Sequence, residues 1–288
     1  MKEFNNRVAV ITGGASGVGR SLALNLAKRG VTVALADKNM EGLEETRKMV
    51  IELGGTASIH ELDVSDYAAF SALAHTIELQ HGQVHMLFNN AGVTLIDRAS
   101  EQSLEDFHWL MNINFWGVVY GCKAFLPTLA KADEAIIINV SSLFGLLALP
   151  LQSAYNASKF AVRGYTEALR TEMSGSSIQV TCVHPGGIKT DITKNAKVSD
   201  SAIGISKDQL NKDFEKLAKT TSEQAAQIII SGIEKNNPRI LVGPDAKVMD
   251  FIVRLFPAKY TKLLGFEKSV LAKRKKRDLA NKVCIKNA

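Results

Sequence analysis

Short apolar runs alternate with longer segments of helical period, and this alternation most constrains what the chain can fold into. The strand-like runs cover residues 8–11, 31–36, 56–60, 84–89, 135–140, 178–183 and 239–242. The helical segments cover residues 18–29, 40–53, 66–80, 103–130, 154–173 and 222–235. Such alternation predicts a parallel sheet with helices on both faces, and the apolar run 135–140 suits a strand buried on both sides. We therefore expect an α/β fold with a doubly wound, Rossmann-type sheet of seven strands.

Composition and charge narrow the class of protein. Hydrophobic residues make up 46% of the 288 residues and charged residues 22%, as in ordinary globular proteins. The strand-like run at Val8 follows Met1 closely, which leaves no room for a signal peptide, and no run of about 18 apolar residues occurs. The three cysteines are scattered, which favours neither disulfides nor a metal site. We expect a cytoplasmic protein that binds no metal.

The positive charge is concentrated at the C-terminal end. From Arg239 onward there are 13 Lys or Arg against 4 Asp or Glu, so this part has a net charge of +9. The remainder of the chain has a net charge of −3, which gives +6 in total. A nearly neutral body with a basic tail does not indicate nucleic-acid binding. We expect one catalytic domain over residues 1–243 and a helical, basic extension over residues 244–288, packed on that domain or on a partner.

A glycine-rich loop follows the first strand. The sequence from Thr12 to Gly19 is TGGASGVG, and a helix is predicted directly after it. Glycines allow the backbone to approach a pyrophosphate, and the helix N-terminus offers free N–H groups to an anion. Glycines also serve ordinary turns, but this position in an α/β chain favours a dinucleotide site.

The end of the second strand indicates which dinucleotide binds. Asp37 can accept hydrogen bonds from both hydroxyls of the adenosine ribose and would repel a 2′-phosphate, although an acidic turn is the plain alternative. Ser16 offers no basic side chain to such a phosphate, whereas the positive charge of Lys38 would partly offset the negative charge of Asp37. Asp63 and Val64, after the third strand, are predicted to hold the adenine edge, or Asp63 is a helix cap. We expect NAD rather than NADP.

Tyr155 and Lys159 lie four residues apart on one face of a predicted helix. A phenol with a pKa near 10 is a poor proton carrier at neutral pH, and a neighbouring ammonium is expected to lower that value. Ser142 ends the fifth predicted strand at the edge of the sheet where ligands bind, so its hydroxyl can polarise a substrate carbonyl. Alone, a Tyr and a Lys at this spacing are typical of any solvated helix face.

Taken together, these elements resemble the short-chain dehydrogenases/reductases over residues 8–190. The shared motifs are TGxxxGxG at 12–19, NNAG at 89–92, an active-site Asn at 114, a Ser at 142, YxxxK at 155–159 and PG at 185–186, followed by a Thr at 190. The resemblance implies that Tyr155 carries the proton, Ser142 orients the substrate oxygen and Lys159 binds the nicotinamide ribose and tunes Tyr155. It also implies that Asn114 holds a water that links Lys159 to solvent.

The resemblance and the glycine loop together define the expected cofactor site. The residues expected to contact the cofactor are Gly13, Ser16, Gly17, Val18, Gly19, Asp37, Asp63, Val64, Asn90, Ala91, Gly92, Tyr155, Lys159, Pro185, Gly186, Ile188 and Thr190. The reaction implied is the interconversion of an alcohol and a ketone or aldehyde. The resemblance also implies a homodimer or homotetramer.

Apolar residues follow Ser142 at 143, 144, 146, 147, 149 and 151, and Leu95 and Ile96 follow the NNAG turn. They either pack under the irregular segment 186–206, the expected lid, or line an apolar pocket. We favour a lipophilic alcohol or carbonyl as substrate. The alternatives are an NADP-dependent carbonyl or oxoacyl reductase and a catalytically silent dinucleotide sensor.

The predicted C-terminal helix carries an apolar stripe with helical spacing. The stripe consists of Val248, Phe251, Ile252, Leu255 and Phe256, and the basic run 273–277 follows it. The stripe can cover the mouth of the site, pack on a second subunit, or lie on an anionic membrane beside the basic run. The basic run can also be a solvated helix end.

Overall fold

A computed structural model describes residues 1–190, 196–198, 212 and 218–265. Its main sheet has seven strands in the order β7-β6-β5-β4-β1-β2-β3, and every pairing is parallel. The strands are β1 Val8–Thr12, β2 Thr32–Asp37, β3 Ala57–Glu61, β4 Met86–Asn89, β5 Ala135–Val140, β6 Ile178–Pro185 and β7 Arg239–Val242. The predicted doubly wound sheet is confirmed.

Helices connect the strands and cover both faces of the sheet. They are α1 Gly17–Ala27, α2 Met40–Glu52, α3 Tyr67–His81, α4 Leu104–Met111, α5 Gly117–Leu129, α6 Ser153–Glu172, α7 Ser222–Glu234, α8 Pro244–Leu255 and α9 Tyr260–Leu263. Side chains that alternate along each strand enter two cores. In β1, Ile11 packs into the core on the side of α1 and α7, whereas Val10 packs into the core on the side of α3 and α5.

The predicted helix over residues 103–130 is not one uninterrupted α-helix. A π-helical turn at Asn112–Trp116 separates α4 from α5. Asn114, at its centre, is fully buried, and its side-chain amide bonds to the main chain of Val93 in a neighbouring loop. These bonds hold Asn114 in place within the turn, and π-turns inside α-helices occur frequently at functional sites.

The C-terminal helix α8 packs on the body through one face. Met249 and Val253 contact the loop after β5, which contributes Leu143, Leu146 and Leu147 to a small core. The predicted apolar stripe faces mainly outward, since Val248 is 55% and Phe251 64% exposed. Thus α8 anchors itself to the chain with residues outside the stripe. The basic run 273–277 lies outside the described residues.

The segment predicted as a lid is described only in part. Ile188–Lys189 pairs with Thr220–Thr221, and Leu95–Ile96 pairs with Lys197–Val198. Residues 191–195 and 199–206 of the predicted lid lie outside the described residues. Among the helices within the described ranges, none is both long and apolar enough to cross a membrane. The same ranges contain no cluster of three or more His, Cys, Asp or Glu side chains suited to a metal ion.

Candidate active site and dinucleotide cleft

The glycine loop joins β1 to α1 at the carboxyl edge of the sheet. Gly13 and Gly17 have φ angles of +69° and +55°, which glycine adopts without strain. A Cβ on Gly19 would overlap the carbonyl of Gly13, so the loop also needs a residue without a side chain there. Within the described chain, Ser16 makes no side-chain cap to α1. The loop and the uncapped helix N-terminus therefore fit a pyrophosphate.

The NNAG turn supports this loop from the neighbouring strand. The amide of Asn90 donates to the carbonyl of Thr12 at 3.0 Å. The hydroxyl of Thr12 accepts from the main-chain N–H groups of Asn90 and Ala91, at 3.0 and 3.1 Å. Deeper in the sheet, Asn89 donates to Asn139 Oδ1 at 2.8 Å and thereby joins β4 to β5. The motif thus fixes the loop and the central strands relative to each other.

Asp37 ends β2 beside the glycine loop. Its carboxylate accepts from the N–H groups of Ala15, at 3.2 Å, and Asn39, at 3.1 Å. Lys38, whose charge would partly offset that of Asp37, donates to Asp63 Oδ2 at 2.9 Å. Its ammonium is therefore directed to Asp63 and not to Asp37.

Asp63 is held by two neighbours. Partial burial acts to raise the pKa of its carboxyl group, but hydrogen bonds from Ser65 and Lys38 lower the pKa overall. Its Oδ1 accepts from the main-chain N–H of Ser65 at 2.9 Å and from the Ser65 hydroxyl at 2.6 Å. Asp63 is therefore an ionised anchor of the turn after β3, and it shares this turn with Val64.

Three of the residues predicted at the cofactor site have side chains turned toward the protein. Val64 is buried and packs against Gly117, Ile188 is buried in the core beside α7, and Val18 packs on the same core from α1. Thr190 lies at the cleft, because a Cβ on Gly17 would be 3.4 Å from its methyl group. The loop that follows Pro185 and Gly186 therefore meets the glycine loop.

Ser142 and Tyr155 come together at the end of β5. Ser142 begins the 3₁₀ turn Leu143–Gly145, and its Oγ accepts from the N–H of Phe144 at 3.1 Å. The Ser142 hydroxyl is also a hydrogen-bond partner of the Tyr155 phenol. Tyr155 is 8% exposed, so the hydroxyl pair sits in a largely dry pocket. A substrate oxygen placed there would meet both groups.

Lys159 lies one turn beyond Tyr155 on α6 and is 3% exposed. Its Nζ donates to the carbonyl of Val140 at 3.0 Å and lies 5.8 Å from the centre of the Tyr155 ring. Burial lowers the pKa of the Lys159 ammonium to about 8. A Cβ on Gly92 would lie 3.4 Å from Nζ, so the NNAG turn forms one wall of the lysine pocket.

The predicted fall in the pKa of Tyr155 does not occur in the protein alone. Burial of the phenol raises its pKa, and the hydrogen bond from Ser142 offsets this only in part. Lys159 directs its ammonium to the carbonyl of Val140 rather than to the phenol oxygen. The sequence showed the spacing of Tyr155 and Lys159 correctly but contained no measure of how deeply both groups are buried.

Asn114 reaches this pocket from the π-helical turn. Its side chain accepts from the N–H of Val93 at 2.8 Å and donates to the carbonyl of Val93 at 2.9 Å and to Ser158 Oγ at 3.2 Å. Ser158 in turn donates to the carbonyl of Tyr155 at 2.8 Å. Ser158 thus links Asn114 to α6, a role that the sequence analysis missed although Ser158 lies inside the YxxxK motif.

The apolar residues after Ser142 divide into two groups. Leu143, Leu146 and Leu147 serve ordinary packing, but they pack against α8, a helix that the packing alternative did not name. Phe144 packs on the same leucines but also lies edge-on to the Tyr155 ring, with 6.1 Å between ring centres, in a cluster that includes Leu95. This second group forms an apolar wall beside the phenol.

The comparisons with known proteins agree with this geometry. The family model of the short chain dehydrogenases matches residues 7–200. SadH of Mycobacterium tuberculosis, which is named as an oxidoreductase, is 42% identical over 268 residues, which cover 92% of this chain and 96% of SadH. The cyclohexanol dehydrogenase of an Acinetobacter strain is 34% identical over 191 residues, 66% of this chain and 76% of that enzyme.

Solved structures show the same likeness. A short chain dehydrogenase/reductase from Burkholderia phymatum, in complex with NAD, superposes with a TM-score of 0.81 at 29% identity, over 89% of this chain and 95% of that one. The family match, the relatives and the glycine-lined cleft lead to one conclusion. This chain belongs to the short-chain dehydrogenase/reductase family and is an NAD(P)-dependent oxidoreductase.

Proposed function

We propose that the protein interconverts a lipophilic secondary alcohol and its ketone, with NAD as cofactor and Tyr155 as the group that carries the proton. The observation that supports this most strongly is the buried Ser142–Tyr155 pair, with Lys159 one helical turn away. The cofactor supplies the hydride acceptor or donor. Tyr155 gives a proton to the carbonyl oxygen in reduction and takes one from the alcohol in oxidation, while Ser142 holds that oxygen.

The protonation states suit reduction at neutral pH in the protein alone. Burial raises the pKa of Tyr155, so the phenol keeps its proton and can donate it. In oxidation the phenol must first lose that proton, and a charged Lys159 would stabilise the phenolate. We propose that Lys159 also binds the nicotinamide ribose and that Asn114 positions a water leading from Lys159 to solvent. Asn114 and Lys159 both lie beside Gly92 in one pocket, which supports this route.

The remaining proposed cofactor contacts follow the cleft from one end to the other. The glycine loop from Gly13 to Gly19 would hold the pyrophosphate, Asp37 the adenosine ribose, and Asp63 with Val64 the adenine. The segment from Pro185 to Thr190 would lie along the nicotinamide. The approach of Thr190 to Gly17 supports a single continuous site.

The NAD preference is tested by removing the charge of Asp37 while keeping its shape. In Asp37→Asn, the ratio of kcat/KM with NADP to that with NAD should rise at least about tenfold, equivalent to about 1.4 kcal/mol. Glu52→Ala, at the exposed end of α2, is the control and should leave the ratio unchanged. An unchanged ratio in Asp37→Asn, or a wild-type preference for NADP, would favour the alternative of an NADP-dependent carbonyl reductase.

The substrate class rests on the apolar wall formed by Phe144 and Leu95 beside Tyr155. A relative named cyclohexanol dehydrogenase adds support. NAD reduction should be measured over secondary alcohols of rising chain length, cyclic and steroid alcohols, and polyols. We expect kcat/KM to rise with apolar size; faster turnover of polyols would refute the lipophilic substrate. A protein that binds NADH but turns over no alcohol or ketone would instead be the catalytically silent sensor.

The association state is part of the same proposal. We propose residues 1–243 as the catalytic domain, with the extension from residue 244 packed on it, and a homodimer or homotetramer as the working form. The outward apolar face of α8, with Val248 and Phe251 exposed, favours contact with another surface. Light scattering and co-sedimentation with anionic liposomes separate the choices: mass doubling or quadrupling supports the oligomer, whereas co-sedimentation supports membrane contact of the basic tail.

A further inference from the structure

One carboxylate of the C-terminal helix reaches out of that helix into the loop after β6. Asp245 lies in the first turn of α8, directly after Gly243 and Pro244. Its Oδ2 accepts from the main-chain N–H of Gly187 at 2.6 Å. Gly187 follows the Pro185-Gly186 motif, so the bond joins the C-terminal helix to the loop proposed for the nicotinamide.

The surroundings of this carboxylate are built from glycines. A Cβ on Gly186 would overlap the Asp245 carboxylate, and a Cβ on Gly243 would also contact it too closely. Gly243 has a φ of +97°, a backbone conformation that side-chain-bearing residues rarely adopt. Any side chain at either position would displace the carboxylate or the loop. The close approach is therefore a requirement of this local sequence.

The loop is fixed from both sides. The N–H of Gly186 donates to the carbonyl of Val242 at 2.9 Å, which extends the pairing of β6 and β7. The next residues, Ile188–Lys189, pair with Thr220–Thr221 and lead to Thr190. Thr190 in turn contacts Gly17 of the glycine loop. Asp245 thus bonds to the start of a short segment that leads to Thr190, beside the glycine loop.

We propose that Asp245 is a positioning residue that holds the loop from Pro185 to Gly187 in place for the nicotinamide half of the cofactor. The inference rests on the proposed function, because it takes this loop to be the nicotinamide contact. It makes α8 a working part of the cofactor site, in addition to a cover for the loop after β5. The glycine loop and Asp37 do not depend on this bond, so the adenosine half should bind without it.

The test compares two ligands that differ in the nicotinamide end. Dissociation constants for NADH and for ADP-ribose are measured on the full chain by calorimetry. In Asp245→Ala we expect NADH to bind at least about tenfold more weakly, while ADP-ribose binds within about twofold of the wild type. Asp245→Asn keeps an oxygen acceptor for the N–H of Gly187 and should restore most of the NADH affinity. KM for NAD should rise more than kcat falls.

Asp250→Ala is the matched control on the same helix. Asp250 binds Arg239 of β7 and Arg254, so its removal weakens the attachment of α8 without touching Gly187. We expect this variant to lose thermal stability but to keep its NADH affinity. If Asp250→Ala and Asp245→Ala weaken NADH equally, or if Asp245→Ala weakens both ligands equally, the specific role of Asp245 is refuted.

The outcomes also separate this inference from the proposed function. Equal NADH affinity in Asp245→Ala and in the wild type would overturn the inference alone. A wild-type protein that binds neither NADH nor NADPH would overturn the proposed cofactor site and the inference together. Should Asp245→Ala fail to fold, Gly186→Ala carries the test, because its methyl group overlaps the Asp245 carboxylate and displaces either the carboxylate or the loop. NADH affinity equal to the wild type in Gly186→Ala would then count against the proposal.

Discussion

His184 should make the protein lose stability in mild acid. The residue lies in β6, and its side chain is fully buried. Its Nδ1 lies 3.1 Å from the carbonyl oxygen of Ser142, which can only accept, so Nδ1 carries the proton. Its Nε2 is buried without a hydrogen-bond partner among the described residues. A second proton would therefore enter the core with no acceptor.

The size of the effect follows from the pKa. Burial lowers the pKa of the His184 imidazole from 6.5 to about 4. Because the folded state holds this proton less tightly than the unfolded state, stability is fully present above pH 6.5 and is lost as the pH falls toward 4. The full loss is about 3.4 kcal/mol, from about 2.5 pH units at 1.36 kcal/mol each. About 2 kcal/mol of it is lost by pH 5.

The assay is urea unfolding at pH 7.5 and pH 5, followed by tryptophan fluorescence. His184→Asn keeps an N–H donor for the carbonyl of Ser142 but does not titrate. We expect the free energy of unfolding to fall by about 2 kcal/mol more in the wild type than in this variant over that pH range. His75→Asn, on the exposed face of α3, should behave as the wild type does. Equal acid losses in the wild type and His184→Asn would refute the reasoning.

Three further predictions concern the site. Gly19→Ala should lose about 1–3 kcal/mol of unfolding free energy and most NADH affinity, because the methyl group overlaps the carbonyl of Gly13; urea unfolding and calorimetry measure both, and unchanged values would contradict it. With a raised pKa the Tyr155 phenol stays protonated past pH 8, so ketone reduction should keep its rate from about pH 7 to about pH 9, whereas alcohol oxidation needs the phenolate together with a charged Lys159, whose pKa is about 8, and should rise up to about pH 8 and then level off; pH profiles that coincide in both directions would rule this out. Phe144→Ala should raise KM for cyclic alcohols several-fold with less effect on KM for 2-propanol, and equal effects on both would remove Phe144 from the substrate wall.

Much of the fold followed from patterns that depend on local periodicity. The predicted strands at 135–140 and 239–242 coincide with β5 and β7, because mostly apolar runs between polar turns leave little choice of limits. The predicted limits of α2 and α7 differ from the observed ones by one residue, since a capping side chain, Asn39 or Thr221, marks each start.

The features that the sequence did not show depend on contacts between distant segments. The π-turn at Asn114 is tied to Val93, and the partner of Lys38 is Asp63, contacts that no local pattern encodes. The direction of the pKa of Tyr155 depends on burial by several elements at once. Asp245 would pass as an ordinary acidic residue at a helix start, because its bond to the Gly187 loop crosses 58 positions.

The central claim is that Tyr155 moves the proton while the cofactor site binds independently of it. Tyr155→Phe removes one oxygen atom and keeps the ring that packs against Phe144. The most direct measurement is kcat with NAD and the best alcohol, alongside the dissociation constant for NADH, in the wild type and in this variant. We predict that kcat falls by at least roughly 10²–10⁴-fold while NADH affinity stays within about twofold. Wild-type turnover by Tyr155→Phe would contradict the account.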